Sequence, residues 1–476
     1  MKHKPLLLFL CGAVLFGAVG TIVFGQDQTA KQSGTTPGAP AATPVVGNEI
    51  KPMNEAMPTG TRIHPMFIDV MALRGLKKPS GTGGSRNSSG NSGNVGMSAT
   101  VNAFATEVQA DADNPSLEQT LPLWTFRVHS SRDGDKFSGA MVGQDPFRNP
   151  GKTTVPTKVI PLIIKTKNVA VSFDPNTGLF TTQPGDNTFN PTRPDNVCLS
   201  APNNVSAKLV QESPIFKEAK FVFGGTDVGT TQYLDAFQRA NFWNALEGDR
   251  DSYHVLLGPV QFLDPITLEV PSVYGLALTN GQLLGPPPFC TPMGIVDINW
   301  FDTYVTGTLI PSLAEDVDPT NLPIFLVYNV VWASPVDNLF TCCILGYHGT
   351  TGFPIPTQTY SPADFDSTGF FTLNATPLDT IVLSHEVGEW INDPMVSNPT
   401  PPWGHTGQVG GCQANLEVGD PLSGTDIPSI TMPNGFTYHL QELAFFSWFF
   451  RAHSIGVNGW FSDNGTFLTD AGPPCH

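Results

Sequence analysis

The stretch Ile381–Pro394, IVLSHEVGEWINDP, places His385, Glu386, Glu389 and Asp393 in a segment whose other residues suit a buried helix. Only 14% of the 476 residues are charged, so this local density demands a reason. Just upstream, Thr376-Pro377-Leu378-Asp379 has the grammar of a helix start: a capping Thr, a Pro at the first helical position and an early acid. The helix is therefore predicted to run from Thr376 to about Asn392 and to end before Pro394. Spacings of three and four put Leu378, Ile381, Val382, His385 and Glu389 on one face, the face that should be buried. A buried ionised carboxylate is costly unless it is paired or bound to a metal.

His385 and Glu389 stand at i and i+4, the spacing by which HExxH helices present two ligands to zinc. Here the second histidine is a glutamate, which makes the motif HExxE. Glu386 follows the first ligand directly, where zinc peptidases keep the base that takes a proton from metal-bound water. A hydrogen-bonded pair in a polar core is the bland alternative. Downstream, NLEVGDPLSG carries Glu417 and Asp420 in a polar loop bounded by Gly and Pro. They resemble the later glutamate that completes the shell in gluzincin-type peptidases and the acid that orients a histidine there. Asp393, at the helix end, is the other candidate third ligand. His348 in LGYHG is a candidate neighbour from a strand end, and His405, His439 and His453 read as structural. One imidazole with two carboxylates makes a hard donor set; zinc is the expected ion, with manganese or calcium as alternatives.

Around this motif the chain reads as a mixture of strands and helices. KVIPLIIKTK and VAVSF are short and β-branched; LPIFLVYNVVW and CCILGYHG are buried-strand candidates. GGTDVGTTQYLDAFQRANFWNAL passes from a Gly-rich turn into an amphipathic helix, and IVDINWFDTYVTGTLIPSL is a second helix. The Gly-rich turn lacks both phosphate-binding patterns. The expected fold is α/β, with α+β as the alternative: a zincin-like mixed sheet with a metal-bearing helix, preceded by a disordered N-terminal segment.

Hydrophobic residues make up 40%, with 32 Phe and 8 Trp, enough for a substantial core. A net charge of -17 disfavours nucleic acid and anionic membrane surfaces as partners. The start, MKHKPLLLFLCGAVLFGAVGTIVFGQ, reads as a secretory signal cleaved near Gly25 (residues 1–25), with an uncleaved anchor as the alternative. The chain is thus expected to be secreted, or periplasmic in a Gram-negative source, without stable membrane insertion after cleavage. Residues 26–115 read as a low-complexity linker, Gly/Ser-rich at 79–99, in which RIHPMFIDVMAL is one short ordered element. Residues 116–476 form the globular body. Apart from Cys11, lost with the signal, Cys198, Cys290, Cys342, Cys343, Cys412 and Cys475 remain, an even number suited to disulfides. The adjacent Cys342 and Cys343 are expected to reach elsewhere rather than bond to each other.

SHEVGEWINDP, the following Trp403 and LEVGD together resemble the exordium or phosphate-induced secreted proteins of plants, which carry HExxExxxNP and a later acidic pair. LGYHG before the helix fits the same pattern. The stretch is also similar to secreted bacterial proteins with HExxExxxDP, a likeness that runs from about 120 to 476. The resemblance implies that His385, Glu386, Glu389, Asp393, Glu417 and Asp420 carry the family's function. Together these readings predict a secreted metal-dependent hydrolase of peptide or cell-wall substrates, in which His385, Glu389 and Glu417 or Asp393 hold the ion and Glu386 moves the proton. The competing expectations are a non-catalytic extracellular protein with a structural cation and an aromatic, glycan-binding tail, and a glycosidase using Glu386 and Glu417.

Overall fold

A computed structural model describes residues 62–70, 120–130, 133–285, 290–352, 357–372, 376–469 and 471–475. The signal reading of 1–25 and most of the linker reading of 26–115 fall outside these residues. The molecule is predominantly β, 40% strand and 18% helix, so the zincin-like α/β expectation is overturned, and α+β with it. Its centre is a closed barrel of seven strands.

The strands that matter are β1 (Arg62–Phe67), β2 (Lys152–Asp174), β3 (Gly275–Leu278), β4 (Met293–Asp297), β5 (Leu322–Tyr328), β6 (Val330–Ala333), β7 (Ile344–Thr351) and β8 (Gln358–Phe365). Hydrogen bonding runs β7–β6–β4–β3–β2–β5–β8, and β8 pairs back to β7 to close the ring. β1 lies outside the ring, antiparallel on β7. Strand β2 joins into one 23-residue strand what the sequence divides into KVIPLIIKTK and VAVSF. It also pairs with the strands Leu179–Phe189, His254–Phe262 and Ile266–Glu269.

Every residue of β5 is buried. Alternate residues explain why: Leu322, Ile324 and Leu326 belong to one core, Phe325 and Val327 to a second. The second core is shared with α2 (Ile298–Tyr304), which continues as helix through Ser312 and brings Phe301, Val305 and Leu309. The first contains α3 (Ile381–Asn392), which lies across β7 and β8. A strand covered on both faces reads as an unbroken apolar run whether the sheet is a barrel or a layered α/β sheet. That ambiguity is the physical source of the wrong fold class. The predicted helix in the Gly-rich stretch is α1 (Tyr233–Asn241), preceded by a strand, Thr226–Thr231, rather than by a turn alone.

Two further expectations change. Helix α3 begins at Ile381 with Thr380 as cap, so Thr376 and Pro377 precede it, and all twelve of its residues are buried rather than one face. Three cysteine pairs stand at disulfide distance: Cys198–Cys290, Cys412–Cys475 and, against expectation, Cys342–Cys343. The peptide between Cys342 and Cys343 is cis. The aromatic tail is core: Phe445, Phe446, Trp448, Phe449 and Phe450 are all buried.

In the second core, Asp302 of α2 is fully buried and accepts a hydrogen bond from the Tyr360 hydroxyl at 2.7 Å. Burial pushes its carboxyl from an ordinary 3.8 up to about 6, against the pull of that hydrogen bond. A folded-state value above the unfolded one means stability present below pH 4 is lost as pH rises through 6. Asp302→Asn removes this loss. Denaturant unfolding at pH 4 and pH 7.5 should show the variant gaining roughly 2–3 kcal/mol relative to wild type across that interval.

Candidate metal centre

Four carboxylates and three imidazoles converge between α3, β7, β1 and the loop after the strand Val409–Asn415. His348, His385, Glu386, Glu389, Glu417 and Asp420 are each 0% exposed. The His64 side chain is 14% exposed. Helix α3 contributes His385, Glu386 and Glu389. The predicted i, i+4 pair faces one point, with His385 Nε2 3.2 Å from Glu389 Oε1. On β7 the two-residue alternation sends Tyr347 into the core with α2 and His348 toward α3, where its Nδ1 lies 3.5 Å from both Glu386 Oε2 and Glu389 Oε2. Its Nε2 is 3.7 Å from Glu417 Oε2. Pairing in register opposite His348 puts His64 of β1 on the same side, 2.7 Å from Asp420 Oδ2 and 3.6 Å from Glu417 Oε1.

Two glycines permit this approach. A Cβ on Gly346 of β7 would come within 2.9 Å of Glu386 Cγ and 2.6 Å of Val382, so a side chain there would hold the strand off the helix. A Cβ on Gly419 would sit 2.5 Å from His385 Nδ1. LGYHG and LEVGD therefore carry glycine where chain and ligand touch.

A second tier of groups fixes orientation. The His385 Nδ1–H donates to Gln441 Oε1 at 3.0 Å, and Gln441 Nε2 in turn donates to the Gly419 carbonyl at 2.6 Å. This directs Nε2 of His385 at Glu389 and at Asp420, whose Oδ1 is 3.6 Å away. Burial opposes charge on the ring, but Glu389 and then Asp420 outweigh it and raise its pKa. Glu389 Oε1 accepts the backbone N–H groups of Gly419 and Asp420 at 3.2 Å each. Asn415 Nδ2 donates to Glu417 Oε1 at 2.9 Å. Gln413 holds Asp420 Oδ2.

The atoms that these bonds leave over test whether a cation fits. Both ring nitrogens of His348, His385 Nε2, and one oxygen each of Glu386, Glu389, Glu417 and Asp420 are buried without a hydrogen-bond partner. Native interiors rarely leave such groups unpaired, and here seven lie in one cluster, with the two nitrogens of His348 facing different carboxylates. They form three groupings with metal-ligand spacing, His64/Glu389/Glu417, His348/Glu386/Glu389 and His385/Glu389/Asp420, which share Glu389. A fourth, His405/Cys412/Cys475, is spent in a disulfide. Burial and then the Glu389 charge push the Glu386 and Glu417 carboxyls well above the carboxylate range. Burial, followed by the charges of His64 and His385, drives His348 far down, to a neutral ring. Burial also opposes charge on His64, but Asp420, Glu389 and Glu386 outweigh it and raise the ring to about 9. The donor set fits a divalent cation.

Several sequence assignments shift in role. Asp393 is not among the converging groups: its carboxylate accepts the Ser397 and Asn398 N–H groups at 2.8 and 3.0 Å, closing the turn after α3. His348 and Asp420, expected behind the ligands, stand among them. Glu386, expected as the base beside metal-bound water, falls into a ligand grouping itself. His439 is structural as expected, 2.8 Å from Asp379. His64 and Gln441 were missed. RIHPMF does place a histidine in a short ordered element, but only strand pairing brings it here, and Gln441 has no spacing signal at all.

Comparison with protein-family models, curated proteins and solved structures finds no match to the chain. The likeness to exordium-type proteins rests on the motif residues alone.

Gly419→Ala should displace the His385 ring and break its bond to Gln441. Metal affinity, read by competition with a chelating dye, should fall about 10–100-fold, the usual cost of disturbing a ligand's support.

Proposed function

We propose that this chain is an extracellular metal-binding protein whose centre is that of a metal-dependent hydrolase acting on peptide bonds. The observation that carries the reading is the set of seven buried, unpartnered ligand atoms in groupings that share Glu389. Zinc suits the three imidazoles; manganese suits the excess of carboxylate. Three cysteine pairs at disulfide distance are compatible with an oxidising compartment. Among the described residues no helix is long and apolar enough to cross a membrane. The signal-like start and the resemblance to secreted HExxE proteins support secretion.

A bound divalent ion would polarise a water and a scissile carbonyl. The chain's own part is positional. Glu386 Oε1 is held by the Met66 N–H at 3.1 Å, which leaves Oε2 to accept a proton. Gln441 keeps Nε2 of His385 directed at Glu389 and Asp420. The enclosing walls exclude bulk water and so strengthen each charge interaction. A second reading, a structural cation in a non-catalytic protein, is favoured by the same enclosure, because structural sites are closed and catalytic ones keep an open position. The glycosidase reading gains nothing: Glu386 and Glu417 share a cluster with histidines rather than facing each other across an open cleft.

Purified mature protein should carry a stoichiometric transition metal by elemental analysis, and Glu389→Ala should lose it. Removing the ion forces buried carboxyls to take up protons or to repel one another, so EDTA should lower Tm and a return of metal should restore it, with about 2.7 kcal/mol at stake for ligand at a hundred times Kd. An unchanged Tm and no bound metal would sink the centre. Glu386→Gln should lower peptide hydrolysis about 100-fold or more, while His385, Glu389, Glu417 and Asp420 still hold metal at an affinity weakened by the one lost carboxylate. Equal inertness of wild type and variant on unfolded proteins and cell-wall peptides, with metal bound to both, selects the structural cation.

A further inference from the structure

β1 belongs to a segment that the sequence places outside the folded body, yet it closes the centre. It pairs with β7 from Arg62 opposite Thr350 to Phe67 opposite Ile344. The pairing continues through two reciprocal backbone bonds between Ile68 and Cys343, both 2.9 Å. β7 meets β6 only at Ile344, and its remaining partner is β8 on the other side. Without β1, the Gly346–Thr350 backbone of β7 would be a free edge running alongside the metal-ligand groupings. Such an edge is a template for an added strand.

β1 is seated by backbone contacts and by side chains: Met66 and Ile68 are buried in the first core, and Ile63 and Phe67 pack against the second. The Met66 N–H donates to Glu386 Oε1, the Phe67 N–H to Gln408 Oε1 at 2.9 Å, and Gln408 Nε2 donates back to the Pro65 carbonyl at 2.8 Å. One side chain, His64, enters the centre and meets Asp420 and Glu417. Main-chain pairing is geometry that other extended peptides share, and the buried sites of Met66 and Ile68 add a preference for apolar side chains at those positions. No cysteine lies between Gln26 and Cys198, so no disulfide ties β1 to the body. A Gly/Ser-rich stretch at 79–99 links it to the rest of the chain, the kind of sequence that proteases nick.

We infer that the β7 edge is a groove for an extended polypeptide, laid antiparallel with one main-chain N–H on Glu386, and that residues 62–68 occupy it as a displaceable intrachain inhibitor. This rests on the proposed centre for what the strand covers, while the groove itself rests on strand pairing. It also reconciles a closed site with a hydrolytic role, since the wall that closes it is a strand able to leave. Tethering holds β1 at a local concentration in the roughly millimolar range, so dilute peptide cannot compete until the tether is cut.

The test uses the full mature chain with a specific protease site inserted within 79–99. A fluorescent peptide of residues 61–70 is titrated onto cut and uncut protein, with zinc and with EDTA, and metal content is measured in parallel. The peptide should bind the cut chain at least tenfold tighter than the uncut one. His64→Ala in the peptide should weaken binding about tenfold, and N-methylation of Met66, which deletes the N–H that Glu386 accepts while keeping the buried side chain, by a similar factor. Equal affinity for cut and uncut chains, or no exchange after complete cleavage, would overturn the groove even in a fully metal-loaded protein. Tighter binding to cut protein that holds no metal, unchanged by EDTA, upholds the groove and removes only the metal reading.

Discussion

Burying carboxylates together is the constraint on which the centre depends. Glu386, Glu389, Glu417 and Asp420 lie within one enclosed volume, and like charges there repel strongly because little water screens them. The fold answers in two ways. Backbone N–H groups, Asn415, Gln413 and Gln441 satisfy one set of lone pairs. The remaining atoms are left free, facing each other and the three imidazoles, an arrangement that a divalent cation completes and that a purely structural hydrogen-bond network would not choose.

Holding such a cluster requires stiff surroundings. α3 carries three of the seven groups and is packed on every side, so its side chains have little freedom to relax apart. Closure of the barrel fixes β7, and with it His348, between β8 and the helix. Glycine at 346 and 419 sets the closest approaches, and either position filled by a methyl would move a ligand. The aromatic C-terminal run supports the same region from behind: Leu443 packs on Gly388 of α3, and Trp403 meets Trp448 and Phe449 edge-on at 5.4 Å. An apparent binding tail is thus the floor of the core.

Enclosure and chemistry pull in opposite directions at this centre. A site sealed on all sides suits a structural ion, whereas hydrolysis needs an entry. The wall formed by β1 differs from the others in being a single strand, seated by main-chain bonds and the buried side chains of Met66 and Ile68, and followed by a linker-like sequence. Its side of the centre is also where the only partly exposed member, His64, is found. The route by which the chain could exchange one polypeptide for another therefore lies along the strand edge rather than through the barrel.

Much of the centre was legible in the sequence because helical periodicity is local. The spacing of His385 and Glu389 dictates a shared direction, and Glu417 and Asp420 stood out as acids in a Gly-bounded loop. LGYHG marked His348 as a strand-end neighbour. The fold class was not legible. Runs such as LPIFLVYNVVW are apolar at every position when both strand faces are covered, and nothing in them distinguishes a closed barrel from a layered sheet. Local grammar left Asp393 open as an alternative third ligand; its carboxylate instead accepts backbone N–H groups of the turn after the helix. His64 and Gln441 depended on tertiary structure entirely. Each reaches the centre through pairing with residues hundreds or dozens of positions away, and the free energy of such contacts belongs to the assembled fold, not to any window of sequence.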